Sequence, residues 1–258
     1  MHQAKKKFGQ NFLKDHNLLK KIVSSAKIEG LDVIEVGPGM GALTQFLVLN
    51  ARTVTAYEID TSLKPILAKF ENNHPNLKII YGDFLDMEIP NGTFHLVANI
   101  PYYITSSIIF KFIELPQIKS ATIMIQKEVA DRINAKPNSK QYNALSIILQ
   151  YYCHVKKVMD VPRHMFTPKP NVDSVVIRLE KYDTRPLNNE QELYFIELIK
   201  HAFKQKRKTL INNLYEAYGI DKEVLITYLK TFGLDEKIRA EAIDVQTFIE
   251  MAKKPINK

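Results

Sequence analysis

The strongest constraint on the fold is a regular alternation. Between residues 31 and 180, short β-branched runs take turns with stretches of helical spacing. "LDVIEVGPG" reads as strand and turn, "MGALTQFLVLNA" as helix, "RTVTAYEID" as strand and "TSLKPILAKFENN" as helix. "LKIIYGD" and "FHLVANIP" read as strands, "SSIIFKFIEL" as helix, and "SATIMIQ" as a strand running into the helix "KEVADRIN". Strands separated by helices pair parallel, so a doubly wound α/β sheet is expected. After a further helix, "NALSIILQYYC", come the strands "VKKVMDV" and "VDSVVIRLE". Only "PRHMFTPKPN" separates them, so this pair is expected to lie antiparallel at one edge of a seven-stranded sheet.

From Glu190 the pattern changes to helices alone: "EQELYFIELIKHAFKQKRKTLINNLYEAYG", "DKEVLITYLKTFG" and "DVQTFIEMAKK", with Asn, Asp or Gly at their ends. A boundary is expected near 182–188, giving a domain over 1–184 and a small all-helical domain over 185–258. No run of about 20 apolar residues is present, and no membrane span is expected. The basic start "MHQAKKKFGQNFLKD" has no apolar stretch behind it, unlike a secretory signal. Cys153 is the one cysteine, which excludes an intrachain disulfide and a cysteine-held zinc. The seven histidines have no metal-ligand spacing, so no metal is expected. These features together point to the cytoplasm.

Net charge is +8, and it is clustered. Residues 1–27 carry seven lysines against Asp15, and Lys204-Gln205-Lys206-Arg207-Lys208 forms a second run. Each run alone reads as a solvated face. Two of them in one basic chain favour a polyanionic partner, most simply nucleic acid.

Glu35 to Gly41, "EVGPGMG", falls at a strand-to-helix turn. Gly37, Gly39 and Gly41 permit a sharp turn and close approach of a ligand. Glu58, with Ile59 beside it, ends the next strand, where an acid accepts hydrogen bonds from ribose hydroxyls. Asp83 ends the strand after that, suited to an adenine amino group, with Phe84 placed to cover the purine. Each acid alone reads equally well as a helix cap. Three such features at successive strand ends form a nucleoside site. The turn is G-x-G-x-G, tighter than the dinucleotide G-x-G-x-x-G, and suits S-adenosylmethionine, which has no phosphate.

At the fourth strand end stands Asn99-Ile100-Pro101-Tyr102. This tetrad resembles the (Asp/Asn)-Pro-Pro-Tyr motif of amino-directed adenine and cytosine methyltransferases. With "FGQNFL" (8–13), "EVGPGMGALT", "NIPYYITSSI", "MFTPKPNVDSVVIRLE" (165–180), "AFKQKRKTLINNL" (202–214) and "IRAEAIDVQTF" (238–248), the chain resembles the small-subunit ribosomal RNA adenine dimethyltransferases, the KsgA family. The resemblance implies a Rossmann-like class I methyltransferase fold. It also implies S-adenosylmethionine as cofactor and transfer of methyl groups to N6 of two adjacent adenosines in small-subunit rRNA. The erythromycin-resistance methyltransferases of large-subunit rRNA share the glycine turn and the tetrad and stand as the alternative. A non-catalytic assembly factor on the same fold is another.

The tetrad makes chemical sense in that setting. An exocyclic N6 amine is a weak nucleophile because its lone pair is delocalised into the ring. The Asn99 side-chain oxygen and the Pro101 carbonyl are both acceptors for its hydrogens. Preorganised, they stabilise the charge that develops on the nitrogen. Tyr102 is the stacking face for an unpaired or flipped base, although composition alone also allows it a core role. By resemblance, Phe166 supplies the opposite face, and Asn11 and Leu13 reach the methionine end of the cofactor, with Asn99 at the junction. Lys5, Lys6, Lys7, Lys204, Lys206, Arg207 and Lys208 are expected on RNA phosphates, the last four in a helix of the small domain that docks the subunit's rRNA. Tyr103 departs from relatives that carry Asn there; it is expected to pack in the turn without a catalytic role. No seam demands a partner copy, so a monomer is expected.

Overall fold

The computed structural model describes residues 12, 13 and 15–256 of the 258. The described chain divides into two compact units. One runs to Ala130 and resumes over Val155–Lys181; the other comprises Asp131–His154 and everything from Tyr182.

The first unit holds the sheet expected from the alternation. Its strands are β1 (Asp32–Val36), β2 (Thr53–Glu58), β3 (Leu77–Tyr81), β4 (Phe94–Asn99), β5 (Ile118–Gln126), β6 (Cys153–Val161) and β7 (Ser174–Lys181), in the spatial order β3-β2-β1-β4-β5-β7-β6. β1 to β5 pair parallel, and β7 turns antiparallel against β5. The two strands expected at one edge do stand side by side there. The β-branched runs are buried on both faces, as parallel strands covered by helices must be: Val33, Ile34 and Val36 of β1 and Leu96, Val97 and Ala98 of β4 are all in the core.

α1 (His16–Ala26) buries Leu19, Ile22, Val23 and Ala26, one stripe at helical spacing. Its start is set by Asp15, whose carboxylate accepts the Leu18 N–H at 2.9 Å. α2 is only Thr44–Leu47, shorter than the expected helix, because the left-handed glycine turn occupies the residues before it. α3 (Lys64–Asn73), α4 (Thr105–Glu114) and the start of α5 (Lys127–Ile133) complete this unit. Register matters for function: Val36 lies opposite Tyr57, Glu58 opposite Tyr81 and Asn99 opposite Met124. The C-terminal ends of β1, β2, β3 and β4 therefore come out on one edge, where open α/β sheets bind ligands.

The second unit is helical: α6 (Ala144–Tyr152), α7 (Asn189–Ala202), α8 (Leu210–Tyr218), α9 (Lys222–Lys230) and α10 (Val245–Lys253). Asn188, Thr209, Asp221 and Asp244 cap α7 to α10, each accepting a backbone N–H of the first turn. The single boundary expected at 184 differs from this division, because residues 131–154 join the helical unit. The reason is packing. The Tyr151 ring lies on Phe195 with centroids 4.6 Å apart, its hydroxyl donates to Glu192 Oε1 at 2.7 Å, and the Tyr142 hydroxyl donates to the Ile243 carbonyl at 3.0 Å.

The expected helix over Lys204–Lys208 is also corrected. Residues 203–209 are a turn between α7 and α8. Buried Asn213 holds them: its amide donates to the Ala202 and Gln205 carbonyls at 2.9 and 3.1 Å, and its oxygen accepts the Gln205 N–H at 3.2 Å. These side-chain bonds satisfy groups that a continuous helix would have paired internally.

Candidate active site

A cavity of about 350 Å³ opens at the C-terminal edge of the sheet. That size is within the ~300–1,000 Å³ typical of small-ligand pockets. Its floor and walls are the turns after β1, β2, β3 and β4.

The turn after β1 is left-handed at all three glycines, with φ of 70° at Gly37, 59° at Gly39 and 81° at Gly41. Gly41 is required twice over, since a Cβ there would also lie 2.5 Å from the Phe70 ring. At Gly39 the backbone N–H donates to Glu58 Oε2 at 3.0 Å, while Glu58 Oε1 accepts the Asp60 N–H at 2.8 Å. Glu58 thus ties the glycine turn to the end of β2. It is only 3% exposed, and burial pushes its carboxyl above the usual range. A carboxylate has about four acceptor positions, so these bonds leave capacity for hydroxyl donors.

Glu35, inside β1, is a cavity residue to which the sequence reading gave no role. It accepts the Thr44 hydroxyl at 2.7 Å. Burial pushes its pKa up to about 8, against the Thr44 bond and helped by the charge of Glu58. The signal for it was present: a lone acid in the apolar run "VIEV".

After β3, Asp83 caps a short turn, its Oδ1 accepting the Leu85 N–H at 2.9 Å, so the capping role read from sequence is realised. Phe84 is buried with its ring edge-on to Tyr57, centroids 5.4 Å apart. Both line the cavity, as do Ile59, Leu13 and Phe166.

The tetrad follows β4. Asn99 closes the strand and lines the cavity. Pro101 begins a tight turn over Tyr102–Ile104, and its carbonyl accepts the Ile104 N–H at 3.2 Å. The Pro101 oxygen thus keeps one lone pair for other donors. The Tyr102 hydroxyl pairs with Ser174 Oγ at 2.7 Å, which pins its ring to the start of β7. Burial raises its pKa, with the Ser174 bond opposing.

The model of the ribosomal RNA adenine dimethylase family matches residues 1–256. The chain belongs to this family. It is 49% identical over 263 residues to the ribosomal RNA small subunit methyltransferase A of Aster yellows witches'-broom phytoplasma, covering 98% of this chain and 96% of the relative. Its fold is similar to that of a dimethyladenosine transferase from Plasmodium falciparum, with a TM-score of 0.82 and 31% identity over 95% of this chain and 98% of the other. The 23S rRNA methyltransferase ErmE is also similar, with a TM-score of 0.75 and 28% identity over 94% and 98%. The Rossmann-like methyltransferase architecture expected from the resemblance is the one present.

The remaining expected residues of this dimethylase sort into three groups. Leu13 and Phe166 meet directly, paired antiparallel in a short ribbon of Phe12–Leu13 with Phe166–Thr167. Phe166 is 4% exposed, a wall of the cavity. Asn11 and Lys5 to Lys7 lie outside the described residues. The second basic run belongs to the helical unit. There Lys206 donates to the Lys140 carbonyl at 2.6 Å and lies 3.8 Å from Glu241, and Lys208 is paired with Glu216. Lys204 and Arg207 are exposed and carry no ion pair among the described residues.

Tyr103 corrects an expectation. It does not pack in the turn; it is 62% exposed. Successive residues of such a turn project about 120° apart. With Tyr102 anchored on Ser174, its neighbour is turned outward. Among the described residues, no group of three or more His, Cys, Asp or Glu is arranged to hold a metal ion, and no helix is long and apolar enough to cross a membrane.

Proposed function

We propose that this dimethylase transfers methyl groups from S-adenosylmethionine to N6 of two adjacent adenosines in small-subunit rRNA. The observation that carries the reading is the convergence of Asn99, Pro101 and Tyr102 with Glu58 and Asp83 on one cavity. A nucleoside-binding half thus adjoins an amine-binding half.

The cavity's residues fit the cofactor. Glu58 offers buried acceptor capacity for two ribose hydroxyls, and the Asp83 carboxylate offers an acceptor to the adenine amino group. Phe84 and Ile59 give the purine an apolar setting, and Leu13 with the glycine turn leaves room for the methionine end. When bound, S-adenosylmethionine supplies a methyl already activated on a sulfonium.

The chain's own task is positioning. Asn99 Oδ1 and the spare lone pair of the Pro101 carbonyl accept the two N6 hydrogens. The carbonyl of Ile100, which receives no donor among the described residues, is a second backbone acceptor on the same turn. Holding both hydrogens turns the nitrogen lone pair toward the methyl and stabilises the positive charge that develops there. Tyr102 stacks on the target adenine. Its hydroxyl bond to Ser174 fixes that face before the base arrives, and Phe166 closes the other side. No strong base is needed, because the alkylated nitrogen is acidic and releases its proton to water.

The reading is tested by incubating the protein with radioactive S-adenosylmethionine and immature small ribosomal subunits. Label in N6,N6-dimethyladenosine of small-subunit RNA is expected. Label confined to large-subunit RNA would favour the erythromycin-resistance activity. Tight subunit binding without label would favour an assembly factor.

A further inference from the structure

Of the described residues that line the cavity, only Ile59 and Tyr103 are exposed, at 45% and 62%. They sit on opposite sides of it. Ile59 follows β2 and Tyr103 follows the β4 turn, and β1 runs between those strands. At about 4.8 Å per strand spacing, the two are separated by roughly 10 Å along the sheet edge. Ile59 is next to Glu58, on the nucleoside side. Tyr103 is next to Tyr102, on the side of the target amine.

Tyr103 is the most exposed phenylalanine or tyrosine among the described residues, ahead of Tyr215 at 46% and Tyr182 at 43%. Among the described residues, Tyr103 meets no aromatic ring and its hydroxyl has no hydrogen-bond partner. Packing therefore gives it no use. Its backbone is nonetheless fixed, because the Ile104 N–H bond to Pro101 closes the turn and Tyr102 is anchored to Ser174. The result is a held aromatic platform at the lip, next to the position where a flipped adenine enters.

We propose that Tyr103 stacks on the nucleobase adjoining the target adenosine. This deepens the reading above and rests on it. An adenosine extruded into the cavity draws its strand neighbours to the lip, and a base leaving its own stack needs a replacement face. An aromatic ring supplies one without sequence preference. When the neighbour is the second substrate adenosine, the same contact keeps it next in line for the cavity.

The test uses the full chain and a small-subunit RNA carrying 2-aminopurine in place of the neighbouring base. The wild-type protein should methylate the unmodified RNA, and failure there would be failure of the functional reading. Given activity, the wild-type protein and Tyr103→Phe should quench the 2-aminopurine fluorescence, and Tyr103→Leu should not. Tyr103→Leu should also weaken RNA binding about 5- to 150-fold, the loss of one stacked base. Affinity for S-adenosylmethionine should stay unchanged. Equal quenching by the Leu variant would overturn the proposal. So would loss in Tyr103→Phe as large as in Tyr103→Leu, which would assign the hydroxyl rather than the ring. Weakened cofactor binding in Tyr103→Leu would overturn it too, by moving Tyr103 to the cofactor side.

Discussion

At the residue scale, the proposed function separates holding the cofactor from activating the amine, and substitutions should separate them as well. Asn99→Ala removes a side-chain acceptor at the end of β4 while leaving the β1 and β2 turns intact. Methyl transfer is expected to fall by about 10²–10³, the usual cost of one preorganised transition-state contact. Cofactor affinity by calorimetry should change little; equal loss of both would make the residue structural. Glu35 makes a prediction about pH. Its folded pKa is raised above the ordinary 4.5 to about 8, mainly by burial. The folded state therefore holds a proton that the unfolded state has released, and stability declines as pH rises from about 4.5 toward 8. Glu35→Gln keeps an acceptor for Thr44 and removes the titration. Its melting temperature should fall less than that of the wild type between pH 6 and pH 9, and parallel curves would refute the assignment. Much of this site was legible in sequence, because Glu58, Asp83 and Asn99 each end an apolar run. The exposure of Tyr103 and the internal bond to the Pro101 carbonyl were not. Both depend on the tight turn that the tetrad adopts, and neither has a spacing signature.

At the element scale, the central strands β5 and β7 announced themselves as near-continuous apolar runs because they are buried over most of their length, whereas the edge strand β6 shows only scattered apolar residues and leaves His154, Lys156, Lys157 and Asp160 exposed. The break over 203–209 was hidden for a local reason. Lys, Gln and Arg are good helix formers, so "KQKRK" reads as helix. What interrupts it is Asn213, eight residues downstream of Gln205. Asn213→Ala removes three hydrogen bonds at a buried site and leaves two carbonyls and an N–H to find other partners. A loss of about 2–3 kcal/mol in unfolding free energy is expected, at roughly 1 kcal/mol per bond. Denaturant titration would read it, and a change under about 0.5 kcal/mol, within the range of an ordinary surface substitution, would show that the turn holds itself. The membership of α6 was hidden for a different reason. Ile147, Ile148, Leu149, Tyr151 and Tyr152 are buried on several faces, and such a pattern does not say which core receives it.

At the scale of the whole molecule, the net charge of +8 supplies attraction to RNA, but not every cation is equally available. Lys204 and Arg207 are unpaired among the described residues, whereas Lys206 and Lys208 have acidic partners. Changing Lys204 and Arg207 together to Gln should reduce the slope of log K against log salt for RNA binding by about 1–2, close to one for each phosphate left without its cation. The same change at Lys206 and Lys208 should reduce it less. Equal effects would mean that the ion pairs open on binding.

The division of the helical unit into two stretches of chain has a consequence in time. During synthesis, residues 131–154 are made before any of Tyr182–Ile256, which supplies the partners of Tyr142 and Tyr151. At ~5–20 residues per second, α6 waits roughly 5–20 s for the last of its partners. Meanwhile β6 and β7, made directly after it, complete the sheet of the other unit. A nascent chain of this dimethylase therefore carries an unfinished apolar helix through much of its translation, and the interval in which it needs protection is written into the order of its segments.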